Sequence, residues 1–248
     1  MNDWPHQTRV HAACQQRWNK VPSWCVVGPC GSGKSRSMMK IAIPAVKAGR
    51  RVSIYSPRIQ NTKQLIEYCQ RDGVRFGVKA SSFPKLEDPE ALLQICSLQT
   101  VFSRMNDFRH EFPFCDILIM DEAHQQTGDM AQSVIDKHRS TCTAHIGFTA
   151  TPVDLGVMYH ELVTEVSNKE LLECKSHLPA LCYGPDRPDL SKLRAMASGE
   201  FSSRRDGEVN KVPTIVGRVF DNWKKLNPDQ LPTIGFAPGV KHSKHYVD

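Results

Sequence analysis

Gly28-Pro29-Cys30-Gly31-Ser32-Gly33-Lys34-Ser35, GPCGSGKS, meets every fixed position of the phosphate-binding pattern G-x-x-x-x-G-K-[ST] and follows directly on the apolar run Trp24-Cys25-Val26-Val27. A buried strand that feeds a glycine-rich turn, with a helix starting near Lys34, surrounds phosphate oxygens with backbone N–H groups and adds the positive end of the helix dipole. All eight residues, including Pro29, Cys30, Gly31 and Ser32, are therefore candidate nucleotide ligands. Lys34 is read as the cation that neutralises the β- and γ-phosphates, and Ser35 as the hydroxyl that ligates Mg²⁺. Cys30 sits at a variable position of the loop, where a small uncharged filler is enough.

A second apolar run, Asp116-Ile117-Leu118-Ile119-Met120, ends in Asp121-Glu122-Ala123-His124. On a central parallel strand this puts Asp121 at the carboxyl end of the sheet, where open α/β sheets gather their ligands. Asp121 can then share the Mg²⁺ with Ser35. Glu122, one residue on, is free to orient or deprotonate an attacking water, because phosphoryl transfer asks the protein mainly for positioning and charge stabilisation.

GPCGSGKS, then DEAH, then Phe148-Thr149-Ala150-Thr151-Pro152 resembles the superfamily 2 helicases and translocases, in the DEAD/DEAH-box branch that includes restriction-enzyme motor subunits and phage helicases. The resemblance implies ATP and Mg²⁺ as cofactors and extends to further segments. Trp4-Pro5-His6-Gln7 looks like the glutamine motif, which implies Gln7 as an adenine contact. Ser56-Pro57-Arg58 looks like motif Ia and Ser97-Leu98-Gln99-Thr100 like motif Ib, which implies Pro57, Arg58, Gln99 and Thr100 as contacts to a nucleic-acid backbone. Thr149-Ala150-Thr151 resembles motif III, which with His124 implies coupling between nucleotide state and strand binding. Pro232 to Pro238 looks like motif IV, the first strand of a second RecA-like domain.

Family members continue through motifs V and VI, whose arginine fingers reach the γ-phosphate, and no Q-x-x-G-R-x-x-R segment occurs in the 248 residues. An arginine finger contributes a factor of about 10³ to 10⁵ to turnover where it is known. The expectation is a chain truncated before motifs V and VI that binds ATP far better than it hydrolyses it, with the missing second motor domain supplied in cis or in trans. The alternative is an ATP- and nucleic-acid-binding module without useful turnover, from a decayed gene or one half of a split motor. A P-loop kinase or transporter ATPase fits less well, since neither has the spacing from DEAH to Thr149-Ala150-Thr151.

Length suits one full domain and a remainder. The 32 Lys and Arg against 26 Asp and Glu give a net charge of +6, which suits a polyanion partner, with DNA favoured over RNA by the resemblance. The nine cysteines form no C-x-x-C pair, which argues for reduced thiols and a cytoplasmic setting. Cys174, His177 and Cys182 have spacings that fit no common zinc pattern. No stretch approaches the roughly 18 apolar residues of a membrane span, so a soluble chain without a membrane partner is expected.

Short apolar runs alternate with helix-like segments through the first 180 residues, the pattern of a parallel sheet covered by helices on both faces. Strands are expected at Trp24 to Val27, Arg51 to Tyr55, Leu93 to Ser97, Asp116 to Met120 and His145 to Thr149. Helices are expected at Arg36 to Ala48, closed by Gly49, and at Gln60 to Arg71, closed near Gly73. The fold class is α/β: a RecA-like P-loop domain over residues 1–183, a Pro- and Gly-broken linker over 184–211 with the basic pair Arg204-Arg205, and the start of a second RecA-like domain over 212–248. There Val212, Ile215, Val216, Val219, Phe220, Trp223 and Leu226 mark an amphipathic helix with Pro213 in its first turn, and Thr233 to Ala237 is expected as a strand. Alone, such a helix leaves apolar surface uncovered.

Overall fold

The computed structural model describes residues 4–155, 158–180 and 213–236. The chain divides into two compact units, Met1–Ala180 and Leu181–Asp248. In the first, seven parallel strands form one sheet, β1 (Ser23–Val27), β2 (Val52–Tyr55), β3 (Phe76–Lys79), β4 (Leu93–Cys96), β5 (Ile117–Asp121), β6 (Ala144–Thr149) and β7 (Glu161–Val163), in the order β3-β4-β2-β5-β6-β1-β7. Among the described residues six α-helices accompany them: α1 (Pro5–Arg17), α2 (Lys34–Lys47), α3 (Ile59–Arg71), α4 (Leu98–Arg104), α5 (Asp129–His138) and α6 (Asn168–Glu173).

β5 shows why the sheet is buried on both faces. Ile117 and Ile119 join one core with Trp24, Met38, Ala42 and Leu65, while Leu118 and Met120 join the other with Tyr55, Val134 and Ile135. Period-two alternation of an all-apolar run thus feeds two helical layers. After β1 the chain passes over β6 and β5 to reach β2, continues to β3 and turns back through β4 to β5 and β6, so the loops after β1, β5 and β6 leave neighbouring strands at their carboxyl ends.

The five expected strands and two expected helices are present within two residues of their expected ends. Gly49 and Gly73 close α2 and α3 with φ of 79° and 64°, the left-handed conformation that a helix C-terminus asks of glycine. Two strands escape sequence reading. β3 contains Gly77, where an added Cβ would meet the Asp88 carbonyl at 2.3 Å, so close backbone approach replaces the side chain that marks a strand. β7 is three residues long, at the sheet edge and largely exposed.

In the second unit, α7 (Pro213–Leu226) begins at the expected proline. The expected strand at Thr233 to Ala237 is corrected: Leu231 to Phe236 lie in no strand and pair with none among the described residues, and Ala237 lies outside them. A strand needs a ladder partner for its backbone groups. The segment is instead clipped to the end of α7, where Trp223 Nε1 donates to Thr233 Oγ1 at 2.8 Å and Asn227 Nδ2 to the Leu231 carbonyl at 2.9 Å. Leu226, Leu231, Ile234 and Phe236 are exposed. Cys182, Arg204, Arg205, the stretch 184–211, and the side chains from Val212 to Val219 fall outside the described residues.

Candidate nucleotide-binding and catalytic site

The glycine-rich turn joins β1 to α2. Gly28 N donates to the Thr149 carbonyl at 2.9 Å, which fixes the turn to the end of β6, and Ser32 N donates to the Pro29 carbonyl at 3.2 Å inside it. Gly31 and Gly33 have φ of 75° and 77°, open to glycine at no steric cost. Gly33 is required a second time, because a Cβ there would stand 2.3 Å from Gln7 Nε2. The Gln7 side chain, expected at the base, thus lies against the loop. Its Oε1 accepts from Trp4 N at 3.3 Å, and next to it His6 Nε2 donates to the Ser32 carbonyl at 3.0 Å. Lys34 Nζ curls back to the carbonyls of Gly28 and Pro29, at 3.1 and 3.3 Å, which holds the ammonium over the loop. The first N–H groups of α2, from Lys34 and Ser35 on, have no carbonyl partner inside the helix, so the turn presents donors and positive charge together.

Asp121 is the last residue of β5 and is buried. Its Oδ2 accepts from Asn61 Nδ2 at 2.8 Å and Ser56 Oγ at 3.2 Å, and its Oδ1 accepts from Glu122 N at 3.0 Å. Burial raises the Asp121 carboxyl above the ordinary range and the Glu122 charge adds to that, while the Asn61, Ser56 and Glu122 N donors pull it back. Glu122 follows in the left-handed region, φ 47° and ψ 53°, a strained backbone for a non-glycine residue that turns the chain sharply off the sheet. Helix α3 serves both halves of the site: Asn61 holds Asp121, and Gln64, three residues on, accepts from Ser35 Oγ at 2.9 Å.

His124 Nδ1 lies 2.8 Å from Thr149 Oγ1. That hydroxyl donates to the Thr151 carbonyl and accepts from Thr151 N, both at 3.0 Å, so the ring nitrogen is the donor to it. Glu122 Oε2 stands 3.7 Å from the same nitrogen. Ala150 bridges the two threonines, so the loop after β5 and the loop after β6 are joined through a single hydroxyl.

The family profile for the type III restriction enzyme res subunit matches residues 1–154. The chain belongs to that family. No curated protein matches it. Among solved structures, the res-family chain is similar to a nuclease-deletion mutant of the type ISP restriction-modification enzyme LlaGI in complex with a DNA substrate mimic, with TM-score 0.54 and 14% identity over 92% of this chain and 24% of that one. The UvsW helicase of bacteriophage T4 aligns with TM-score 0.53 and 16% identity, covering 66% of this chain and 60% of the other. The Hef helicase domain of Pyrococcus furiosus gives TM-score 0.52 and 17% identity over 97% and 50%. At these identities the likeness shows the fold, which is the RecA-like fold of superfamily 2 helicases. The chain spans between 24% and 60% of the length of these structures. By family and fold it contains a helicase-type ATPase domain.

The remaining residues singled out in this res-family chain stand further along the same edge of the sheet. Pro57 and Arg58 follow β2, with Arg58 exposed at the start of α3, and Gln99 and Thr100 lie in the first turn of α4 after β4. Gln99 is exposed and accepts from Ser97 Oγ at 3.0 Å. Thr100 is buried, and its hydroxyl accepts from Ser81 N at 3.3 Å, so it braces the β3 loop.

Several neighbours of these residues carry no sequence signal. Asn61 and Gln64 are two polar residues among many on an amphipathic helix. His177 and Ser176 come from beyond α6, yet Ser176 Oγ donates to the Gly31 carbonyl at 3.0 Å and His177 Nε2 donates to the Cys30 carbonyl. Arg9, through the Glu165 carbonyl at 2.8 Å and the Glu170 carboxylate, ties α1 to that same stretch. Of the described residues, no helix is long and apolar enough to cross a membrane.

Proposed function

We propose that the chain is the ATP-binding half of a nucleic-acid motor, and that its substrate is ATP with Mg²⁺ held between the glycine-rich turn and the end of β5. The observation that carries this reading is the convergence of Lys34, Asp121, Glu122 and Thr149 on the carboxyl ends of three neighbouring strands, β1, β5 and β6. The donor set fits the metal: a hard dication takes oxygen ligands, and the site offers the Ser35 hydroxyl and the Asp121 carboxylate, bonded to Gln64 and Asn61 of α3. Ser35 and Asp121 would hold Mg²⁺, which when bound neutralises charge on the phosphate oxygens.

The protein's own residues do the rest. Gly28 to Ser35 bind the phosphates through backbone N–H groups, Lys34 adds a mobile charge, and Gln7 stands at the loop for the base. Asn61 and Ser56 donate to Asp121 and oppose the rise that burial causes. Glu122 takes a proton from water, with His124 beside it. The bond from His124 to Thr149 passes the state of the DEAH loop to the loop after β6, and Pro57, Arg58, Gln99 and Thr100 mark the edge along which a strand would lie. Contacts of this kind go to phosphate rather than base edges, so binding would be sequence-tolerant and salt-dependent. The DNA substrate mimic in the LlaGI structure supports DNA as the strand.

The proposed division is a domain over 1–183, a linker over 184–211 and the start of a second RecA-like domain over 212–248. The charge that closes on the γ-phosphate is assigned to a second motor domain, in cis or in trans. ATP hydrolysis by the purified chain, measured with and without single-stranded and duplex DNA, tests the reading. Stimulation that Glu122→Gln abolishes supports it; hydrolysis indifferent to both DNA and Glu122→Gln contradicts it.

A further inference from the structure

At the opposite end of the sheet from the nucleotide site, two cysteines stand side by side. The β5–β6 ladder opens with Ile117 against Ala144, and Cys115 and Cys142 each lie two residues before that pair. The chains remain in contact there, since Thr143 N donates to the Asp116 carbonyl at 2.8 Å. Neighbouring strands run about 4.8 Å apart, inside the roughly 4.4 to 6.8 Å between α-carbons that a disulfide spans. Both side chains turn to the same face of the sheet, into the core of Leu118, Met120 and Val134.

Their surroundings differ in a useful way. Cys115 is buried, with its Sγ 3.4 Å from His138 Nδ1, and His138 Nε2 in turn lies 2.9 Å from the Tyr55 hydroxyl. Cys142 is half-buried and opens onto a cavity of about 670 Å³ lined also by Gln132, His138, His145, Met158 and His160. The Cys115 thiol donates to the Cys142 sulfur, which holds the Cys142 thiol below its ordinary range, whereas burial pushes Cys115 far above it. Burial keeps His138 down at about 4, so the ring is neutral at pH 7 and places no positive charge beside the two sulfurs.

We infer that Cys115 and Cys142 form a site of reversible oxidation by peroxides, in which Cys142 is the attacked thiol and Cys115 the resolving one. The Cys142 thiolate attacks one oxygen of hydrogen peroxide; the O–O bond breaks, Cys142 becomes a sulfenic acid, and the other oxygen leaves as water after taking a proton. Cys115 then attacks the Cys142 sulfur, and its proton passes to the departing hydroxide as the S–O bond breaks, giving a second water and joining the two sulfurs. Two thiols are oxidised by two electrons and one peroxide is reduced to two waters. The bridge ties the starts of β5 and β6, the strands that end at Asp121 and Thr149, and a dithiol returns it to the reduced form. None of this depends on the proposed ATPase.

The test treats the folded chain with a small excess of hydrogen peroxide, blocks the remaining thiols under denaturing conditions, and maps the peptides by mass spectrometry without reduction. The expected product is a Cys115–Cys142 cross-linked peptide, two hydrogens lighter than its parts and removed by dithiothreitol. In Cys115→Ala, Cys142 should be trapped by dimedone as the sulfenic acid, and in Cys142→Ser, Cys115 should remain alkylatable. Recovery of both thiols alkylated at a dose that oxidises the exposed Cys30 and Cys174 overturns the inference. So does conversion of Cys142 to sulfinate in the unaltered chain without a cross-link.

Discussion

His124 Nδ1 donates to Thr149 Oγ1 across 2.8 Å, and that one bond joins the loop that follows β5 to the end of its neighbour β6. Because Thr149 also bonds the Thr151 backbone in both directions, a movement of Glu122 and His124 reaches Thr151 through the last residue of β6. Replacing the hydroxyl by a methyl in Thr149→Val should cost about 1 to 2 kcal/mol of stability, the usual range for leaving a buried partner unsatisfied. It should leave ATP affinity within about threefold while reducing nucleic-acid stimulation of hydrolysis by about tenfold, within the ordinary span of coupling between sites. Thermal melts and ATPase assays with and without DNA check this. Equal loss of basal and stimulated rates would place Thr149 in catalysis instead of coupling.

Asn61 acts on Asp121 by holding its charge. Burial favours the neutral acid, the amide donor opposes that, and only the carboxylate ligates a metal. Asn61→Ala should therefore raise the Asp121 carboxyl further, so that Mg²⁺-dependent nucleotide binding fails at higher pH on acidification than in the unaltered chain. A binding titration repeated from pH 8 to pH 5 reads the shift, and identical profiles would remove Asn61 from the site. Asp121→Asn should weaken Mg²⁺ dependence outright. Glu122→Gln should keep nucleotide and metal binding but lower turnover by about 10² to 10⁴, the range of a lost general base.

Two histidines set an acid limit on the fold. Burial holds His138 at about 4 and His145 at about 3, below the roughly 6.5 of an unfolded chain. Between those values the unfolded chain binds protons that the folded one refuses, so stability is full above about pH 6.5 and falls as the pH drops towards 4. The loss should be on the order of 3 kcal/mol or more by pH 4. Urea midpoints at pH 7, 6 and 5 should fall steadily, before the surface carboxylates such as Asp72 and Asp88, held low by arginine partners, begin to protonate. A flat midpoint from pH 7 to pH 5 would contradict the assignment.

The residues that announce themselves in sequence are those whose chemistry or backbone is irreplaceable. Gly31 and Gly33 need their left-handed φ, Lys34 and Ser35 sit at fixed offsets from them, and Asp121 ends an apolar run that fits only a strand buried on two faces. The sheet was legible for the same reason at β1, β2, β4, β5 and β6. β3 and β7 were not, because a strand at or near an edge can be short, charged and glycine-bearing while its neighbours supply the burial. Asn61, Gln64, His6 and His177 were hidden for another reason: each acts on a residue far away in sequence, and an amide or imidazole on a solvated face looks ordinary until the partner is in place. Thr233 to Phe236 carried strand composition, but composition supplies no ladder partner.

The central claim is that Lys34, held over the glycine-rich turn by the Gly28 and Pro29 carbonyls, and Asp121, at the end of β5, together form one site for ATP with Mg²⁺. Titration of a fluorescent ATP analogue into the chain and into Lys34→Ala, each with Mg²⁺ and with EDTA, tests it most directly. The predicted result is saturable binding that EDTA weakens in the unaltered chain, and a loss of affinity of about tenfold or more in Lys34→Ala with an unchanged circular dichroism spectrum, as removal of a charge-assisted phosphate contact requires. Equal affinity in a folded Lys34→Ala chain, or binding indifferent to Mg²⁺, would contradict it.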